Sequence, residues 1–183
     1  MAHIAFLVDN HFEQVELTGP WDQLRAKGHR TSLIATQQKE LQGLNHVDMG
    51  DRFHADLLLS EASVADFDAL VLPGGTVNSD AVRANPEVLA FVKKFATLPK
   101  PIAAICHAPW VLVSSGLARG KTLTAYHTIK DDLQNAGAIY TDQAVCIDHY
   151  LITSRCPDDI DAFSAAIDEM LTGAAPVDPK ILN

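Results

Sequence analysis

The chain has 183 residues, 48% of them hydrophobic, and a formal net charge of -9, which is enough chain and apolar content for one domain with a full core. That acidity denies nucleic acids and anionic membrane surfaces the attraction they require, so small molecules or proteins are the expected partners. No apolar run is long enough to cross a bilayer and no signal-peptide charge pattern precedes the first predicted strand, so a cytoplasmic location is expected.

Ile4 to Val8 is a continuous apolar run that stops at Asp9-Asn10, as a parallel strand covered on both faces would. His11-Phe12-Glu13-Gln14-Val15-Glu16-Leu17 follows at once. Parallel sheets place ligand sites beyond the carboxyl ends of their strands, so Glu13 stands where a catalytic carboxylate could act. It equally stands where an acidic side chain would complement the dipole of the next helix. Pro20, Trp21, Leu24 and Ala26 continue a helical pattern closed by Gly28, and Arg30 to Ala35 reads as a second strand.

Between Thr36 and Ala55 the periodicity weakens, and Gly43, Asn45 and Gly50 suggest a short hairpin. His46 and His54 fall there without a metal-ligand pattern around them, which makes both surface histidines. Ser60 to Phe67 could form one short helix, and Ala69 to Leu72 is a third buried strand. It ends at Pro73-Gly74-Gly75-Thr76, where residues without a Cβ allow a ligand to approach backbone N–H groups. Asp80 follows in a polar stretch, and Asn85-Pro86-Glu87 opens a helix expected to reach Leu98.

Ile102 to Ile105 then forms a buried strand that runs without a linker into Cys106, His107 and a helical pattern through Val111, Leu112 and Val113. Such a turn is a nucleophile elbow: it lifts one side chain out of the sheet and aims the next N–H the same way. A helix N-terminus there favours a thiolate. A cysteine at a strand end is also commonly a small core hydrophobe. Beyond the elbow come a short strand at Leu123 to Ala125, Tyr126-His127, a helical segment from Lys130 to Asn135 closed by Gly137, and two strands, Ala144 to Ile147 and Tyr150 to Thr153. His127 could serve as a base or simply be an exposed helix-start histidine. An amphipathic helix from Asp158 to Leu171 closes the fold, and Gly173 to Asn183 reads as a loose tail. Cys106, Cys146 and Cys156 have no CxxC spacing and fit free thiols.

Five of these stretches together resemble the PfpI family, the intracellular cysteine peptidase and deglycase group of the class I glutamine amidotransferase-like superfamily. They are Phe12-Glu13-Gln14-Val15-Glu16, Ala69 to Gly75, Ala104-Ile105-Cys106-His107-Ala108-Pro109, Ile129 to Leu133 with Asn135-Ala136-Gly137, and Thr153-Ser154-Arg155 with Pro157-Asp158-Asp159. The resemblance implies a flavodoxin-like three-layer α/β/α sandwich with a mostly parallel sheet, as a single domain over residues 1–172. It makes Cys106 the nucleophile, with Glu13 hydrogen-bonded to its sulfur and His107 as its histidine. Gly75 and the His107 N–H match the oxyanion hole, Tyr126 a pocket aromatic beside Gly74. The third triad member in such peptidases is an acidic residue from a neighbouring subunit, here Asp80, so a homodimer or higher oligomer is expected.

Two anions in contact repel, so Glu13 beside the sulfur is expected to be protonated and to pass its proton to a developing alkoxide. Three functions fit these residues. One is an enzyme acting on reactive dicarbonyls or their adducts with amines; a second is a cysteine peptidase using Cys106, His107 and Asp80; a third is a non-enzymatic redox sensor or holdase. Nothing in the sequence calls for a metal, a nucleotide or a flavin.

Overall fold

Alternation along the strands accounts for the layers. A computed structural model describes residues 1–173; the tail expected from Gly173 onward lies outside them apart from that glycine. Strand β1 (His3–Val8) leads through a two-residue strand, β2 (Phe12–Glu13), into helix α1 (Gln14–Ala26) and then β3 (Arg30–Ala35). Strands β4 (Glu40–Asn45) and β5 (Asp48–His54) form the expected hairpin, β2 adds to its edge, and the short β6 (Leu57–Leu58) follows. Next come β7 (Ala69–Leu72), α2 (Thr76–Ala84), α3 (Pro86–Phe95), β8 (Ile102–Ile105) and α4 (Pro109–Ser114). The chain closes with β9 (Thr122–Leu123), α5 (Lys130–Asn135), β10 (Ile139–Tyr140), β11 (Val145–Asp148), β12 (Leu151–Ser154) and α6 (Ile160–Thr172).

The main sheet has the order β11-β12-β8-β7-β1-β3-β6, parallel throughout except for β11. Successive residues of a strand face opposite ways. Ala5, Leu7, Leu70, Leu72, Ile102 and Ala104 therefore pack on one face against Val82, Val88, Phe95, Val111 and Leu133 of α2 to α5. Ile4, Phe6, Val8, Ala69, Val71, Ala103 and Ile105 pack on the other against Leu17, Leu24, Phe163 and Ile167 of α1 and α6. Two apolar cores on one sheet make the three-layer α/β/α sandwich.

Local differences from the sequence reading have local causes. Ser60 to Phe67 is not one helix but two single 3₁₀ turns, Leu59–Glu61 and Val64–Asp66, the second capped by Ser63. The polar stretch around Asp80 is helix α2. Its N-cap is Gly75, which offers no capping side chain to read in the sequence. Helix α3 stops at Phe95 rather than Leu98, and α6 begins at Ile160 after a 3₁₀ turn at Pro157–Asp159. The strand expected at Leu123 to Ala125 is shorter and lies parallel to β10. Among the described residues no helix is long and apolar enough to cross a membrane.

Candidate active site

The carboxyl ends of β1, β7 and β8 meet at one edge of the sheet, where parallel α/β folds gather their ligand groups. Cys106 follows β8 with a φ of 63°, a left-handed conformation uncommon for a non-glycine residue and typical of an elbow. Its N–H donates to the Ser154 carbonyl at 3.0 Å, and its own carbonyl accepts from the Tyr126 N–H at 2.9 Å. The turn is thus fixed from both sides. The thiol lies at the floor of a cavity of about 550 Å³ whose wall includes Glu13, Glu16, Gly75, His107, Tyr126 and Pro157.

The carboxyl against the thiol is that of Glu16, not Glu13. Glu16 lies on the inward stripe of α1 with Leu17, Pro20 and Leu24 and is fully buried. Its Oε2 accepts the Gly74 N–H at 2.9 Å, and the carboxyl interacts with the Cys106 side chain. Oε1 has no well-formed hydrogen bond. Glu13 sits outside that stripe, in β2 just ahead of α1, and its carboxyl turns to the cavity mouth, where it accepts the His46 N–H at 3.1 Å. The step from the end of β2 into the first turn of α1 therefore separates a rim carboxylate from a buried acid.

Burial, opposed by hydrogen bonds from Cys106 and the Gly74 N–H and helped by the Glu13 charge, raises the Glu16 carboxyl from 4.5 to about 8, so it carries a proton at neutral pH. Burial also pushes the Cys106 thiol up, and a Glu16 carboxylate would push it further; the N–H groups of Gly75 and His107 pull it down. The expected low thiol pKa from a helix N-terminus is therefore not what dominates: α4 is only six residues long and Cys106 is 7% exposed. Both groups are thus held neutral at pH 7, and a neutral Glu16 is the form that tolerates a thiolate beside it.

His107 Nδ1 lies 3.2 Å from the Cys106 sulfur, and its Nε2 lies 3.3 Å from Thr128 Oγ1 and 3.5 Å from Thr76 Oγ1. Burial, helped by His127, lowers this imidazole below the usual histidine range, so it is neutral at pH 7. With its proton on Nε2, where either hydroxyl can accept it, the ring turns the Nδ1 lone pair to the thiol. Tyr126 stacks on the ring at 4.9 Å and Trp110 meets it edge-on at 5.3 Å.

Gly75 has a φ of 86°, and a Cβ there would press on the backbone of Glu13. The structure thus brings together Cys106, His107, Gly74, Gly75 and Tyr126 and adds Glu16. Asp80 is exposed on α2 and does not line the cavity, so the expected triad is not closed within one chain. His46 and His54 are exposed as expected, with side chains 85% and 67% accessible, although His46 borders the cavity. Among the described residues no group of three or more His, Cys, Asp or Glu side chains could hold a metal ion. The sequence reading missed Glu16, although an acidic residue in register with Leu17 and Leu24 on a buried helical stripe is the signal that marks it.

Residues 2–170 match the profile of the DJ-1/PfpI family. Over 162 residues the chain is 40% identical to YraA of Bacillus subtilis, whose name assigns it provisionally to the cysteine proteases; the match covers 88% of this chain and 93% of that one. Deglycase PH1704 of Pyrococcus horikoshii is 36% identical over 160 residues, covering 87% and 93%. Protein/nucleic acid deglycase 2 of Escherichia coli is 39% identical over 166 residues, covering 88% and 92%. Among solved structures, a two-domain protein of Anabaena variabilis with DJ-1/ThiJ/PfpI-like and ferritin-like domains superposes with a TM-score of 0.89 at 34% identity. That match covers 100% of this chain and 52% of that protein.

Proposed function

The chain belongs to the DJ-1/PfpI family, and from that membership we propose that it is a cysteine-dependent enzyme acting on reactive dicarbonyls or their early adducts with amines. The observation that carries this reading is the buried Glu16 carboxyl, protonated at neutral pH, against the Cys106 thiol. An acid held beside a nucleophile is what addition to a carbonyl needs, because the alkoxide that forms must be protonated before it reverts.

With a 2-oxoaldehyde the steps balance without any outside oxidant. His107 takes the thiol proton, sulfur adds to the aldehyde carbon, and Glu16 protonates the new alkoxide to give a hemithioacetal. The Gly75 and His107 N–H groups, already directed at the sulfur, stabilise the developing charge. The Glu16 carboxylate then removes the hydrogen from the former aldehyde carbon and returns it to the neighbouring carbon. The hydroxyl proton of the first carbon passes to the oxygen of the second, so the first carbon is oxidised to a thioester and the second reduced to an alcohol. Water hydrolyses the thioester, releasing a 2-hydroxy acid and the free thiol. With an amine hemiaminal, sulfur replaces nitrogen at the same carbon and the amine leaves with the thiol proton.

The test is methylglyoxal consumption without added thiol, with the 2-hydroxy acid product measured alongside. Wild-type protein consumes it and Cys106→Ser protein does not; absence of consumption by the wild type overturns the proposal. A second reading, a cysteine peptidase, is favoured by the 3.2 Å approach of His107 to Cys106. It needs a carboxylate to orient His107, for which a second copy would have to supply Asp80. Peptide cleavage lost on Asp80→Ala, with methylglyoxal turnover retained, is its signature.

A further inference from the structure

Asn78 is almost wholly buried, 1% exposed, on the first turns of α2. Its side-chain Nδ2 donates to the carbonyls of both Pro73 and Gly74 at 2.9 Å, and its Oδ1 accepts the Asp9 N–H at 2.7 Å. An amide with two carbonyls on one side and an N–H on the other can be oriented in only one way. All three contacts lie around the turn that carries the anion-stabilising donor.

A trans peptide is planar and its C=O and N–H point in opposite directions, so fixing one fixes the other. The Pro73–Gly74 peptide has its carbonyl on Asn78 and its N–H on Glu16. The Gly74–Gly75 peptide has its carbonyl on Asn78 and on the Glu13 N–H, and its own N–H on the Cys106 sulfur. Two adjacent glycines have no Cβ to resist rotation, so these peptides keep their orientation through such hydrogen bonds, and Asn78 is the side chain that holds both carbonyls. The geometry points to Asn78 as a positioning residue that holds both peptides so that one donor faces Glu16 and the other faces Cys106. It touches neither the thiol nor the cavity.

The experiment reads the pH dependence of Cys106 alkylation by iodoacetamide beside methylglyoxal kinetics, on protein shown by circular dichroism to be folded. Alkylation does not depend on the dicarbonyl reading, whereas the kinetic half rests on it; a wild type inert to methylglyoxal would therefore sink that reading and leave this one testable. Asn78→Ala is expected to move the alkylation midpoint to higher pH, because the Gly75 N–H no longer holds the thiolate. It should lower kcat on the order of a hundredfold, as loss of an oxyanion donor does, with KM changed far less. Asn78→Ser should recover part of both, because a helical serine can donate to the carbonyl four residues back, here Gly74. Thr36→Val breaks the neighbouring Thr36–Asp9 hydrogen bond without touching either glycine carbonyl and should leave the midpoint in place. A wild-type midpoint and kcat in Asn78→Ala would overturn the inference. So would an equal shift in Thr36→Val, or failure of both Asn78 variants to fold, which would make Asn78 a residue of the fold alone.

Discussion

Replacing Glu16 by Gln should stabilise the protein at neutral pH while removing its activity. Burial raises this carboxyl from 4.5 to about 8, so the folded state holds a proton that the unfolded chain has released across that interval. The sign follows directly: stability is fully present below 4.5 and is lost as pH rises towards 8, at about 1.4 kcal/mol per pH unit. At pH 7 the wild type has then lost about 3 kcal/mol. Gln keeps an oxygen for the Gly74 N–H and does not titrate, so the variant escapes this loss. In a chain of this size about 3 kcal/mol corresponds to roughly 6–12 °C in Tm. The assay is urea unfolding of both proteins at half-unit steps from pH 5 to 8, in which any constant effect of the substitution cancels. Their stabilities should diverge steadily with pH in favour of Glu16→Gln. Parallel curves would refute the reasoning, because they would mean that Glu16 is ionised in the folded protein at pH 7.

The remaining expectations concern other parts of the molecule. Glu13→Ala should raise KM for methylglyoxal while kcat stays within about threefold, since Glu13 holds the His46 turn at the cavity mouth. A kcat loss equal to that of Glu16→Gln would instead put Glu13 at the chemistry. Burial alone would raise the Asp148 carboxyl, but the Thr122 N–H, His149 and Lys121 outweigh it and hold it at about 2, below its ordinary 3.8. Its contribution is therefore present above that ordinary value and is lost as pH falls to 2. Asp148→Asn should flatten that acid limb in urea titrations, and an unchanged limb would count against the cluster. Phe163 is fully buried between α6 and the sheet, so Phe163→Ala should cost about 3–5 kcal/mol in chemical unfolding. A loss below about 1 kcal/mol would show that the α6 layer is not packed as described.

What the sequence determined by itself was whatever rests on near neighbours in the chain. Ile4 to Val8, Ala69 to Leu72 and Ile102 to Ile105 are buried strands because unbroken apolar runs ending at turn residues have few other places to go. The elbow at Cys106 and the glycine turn at Gly74-Gly75 were legible for the same reason, since a strand, a tight turn and a helix follow one another within a few residues. Tertiary structure alone decided which carboxyl meets the sulfur. Glu13 and Glu16 are nearly equivalent in sequence, and only the docking of α1 on the sheet buries one and leaves the other at the rim. It also decided the protonation of the site, because desolvation is imposed by strands and helices far apart in the chain and outweighs the local helix-terminus field that favours a thiolate. The role of Asn78 was invisible for a related reason: its partners are backbone groups, and a backbone group has no letter in the sequence.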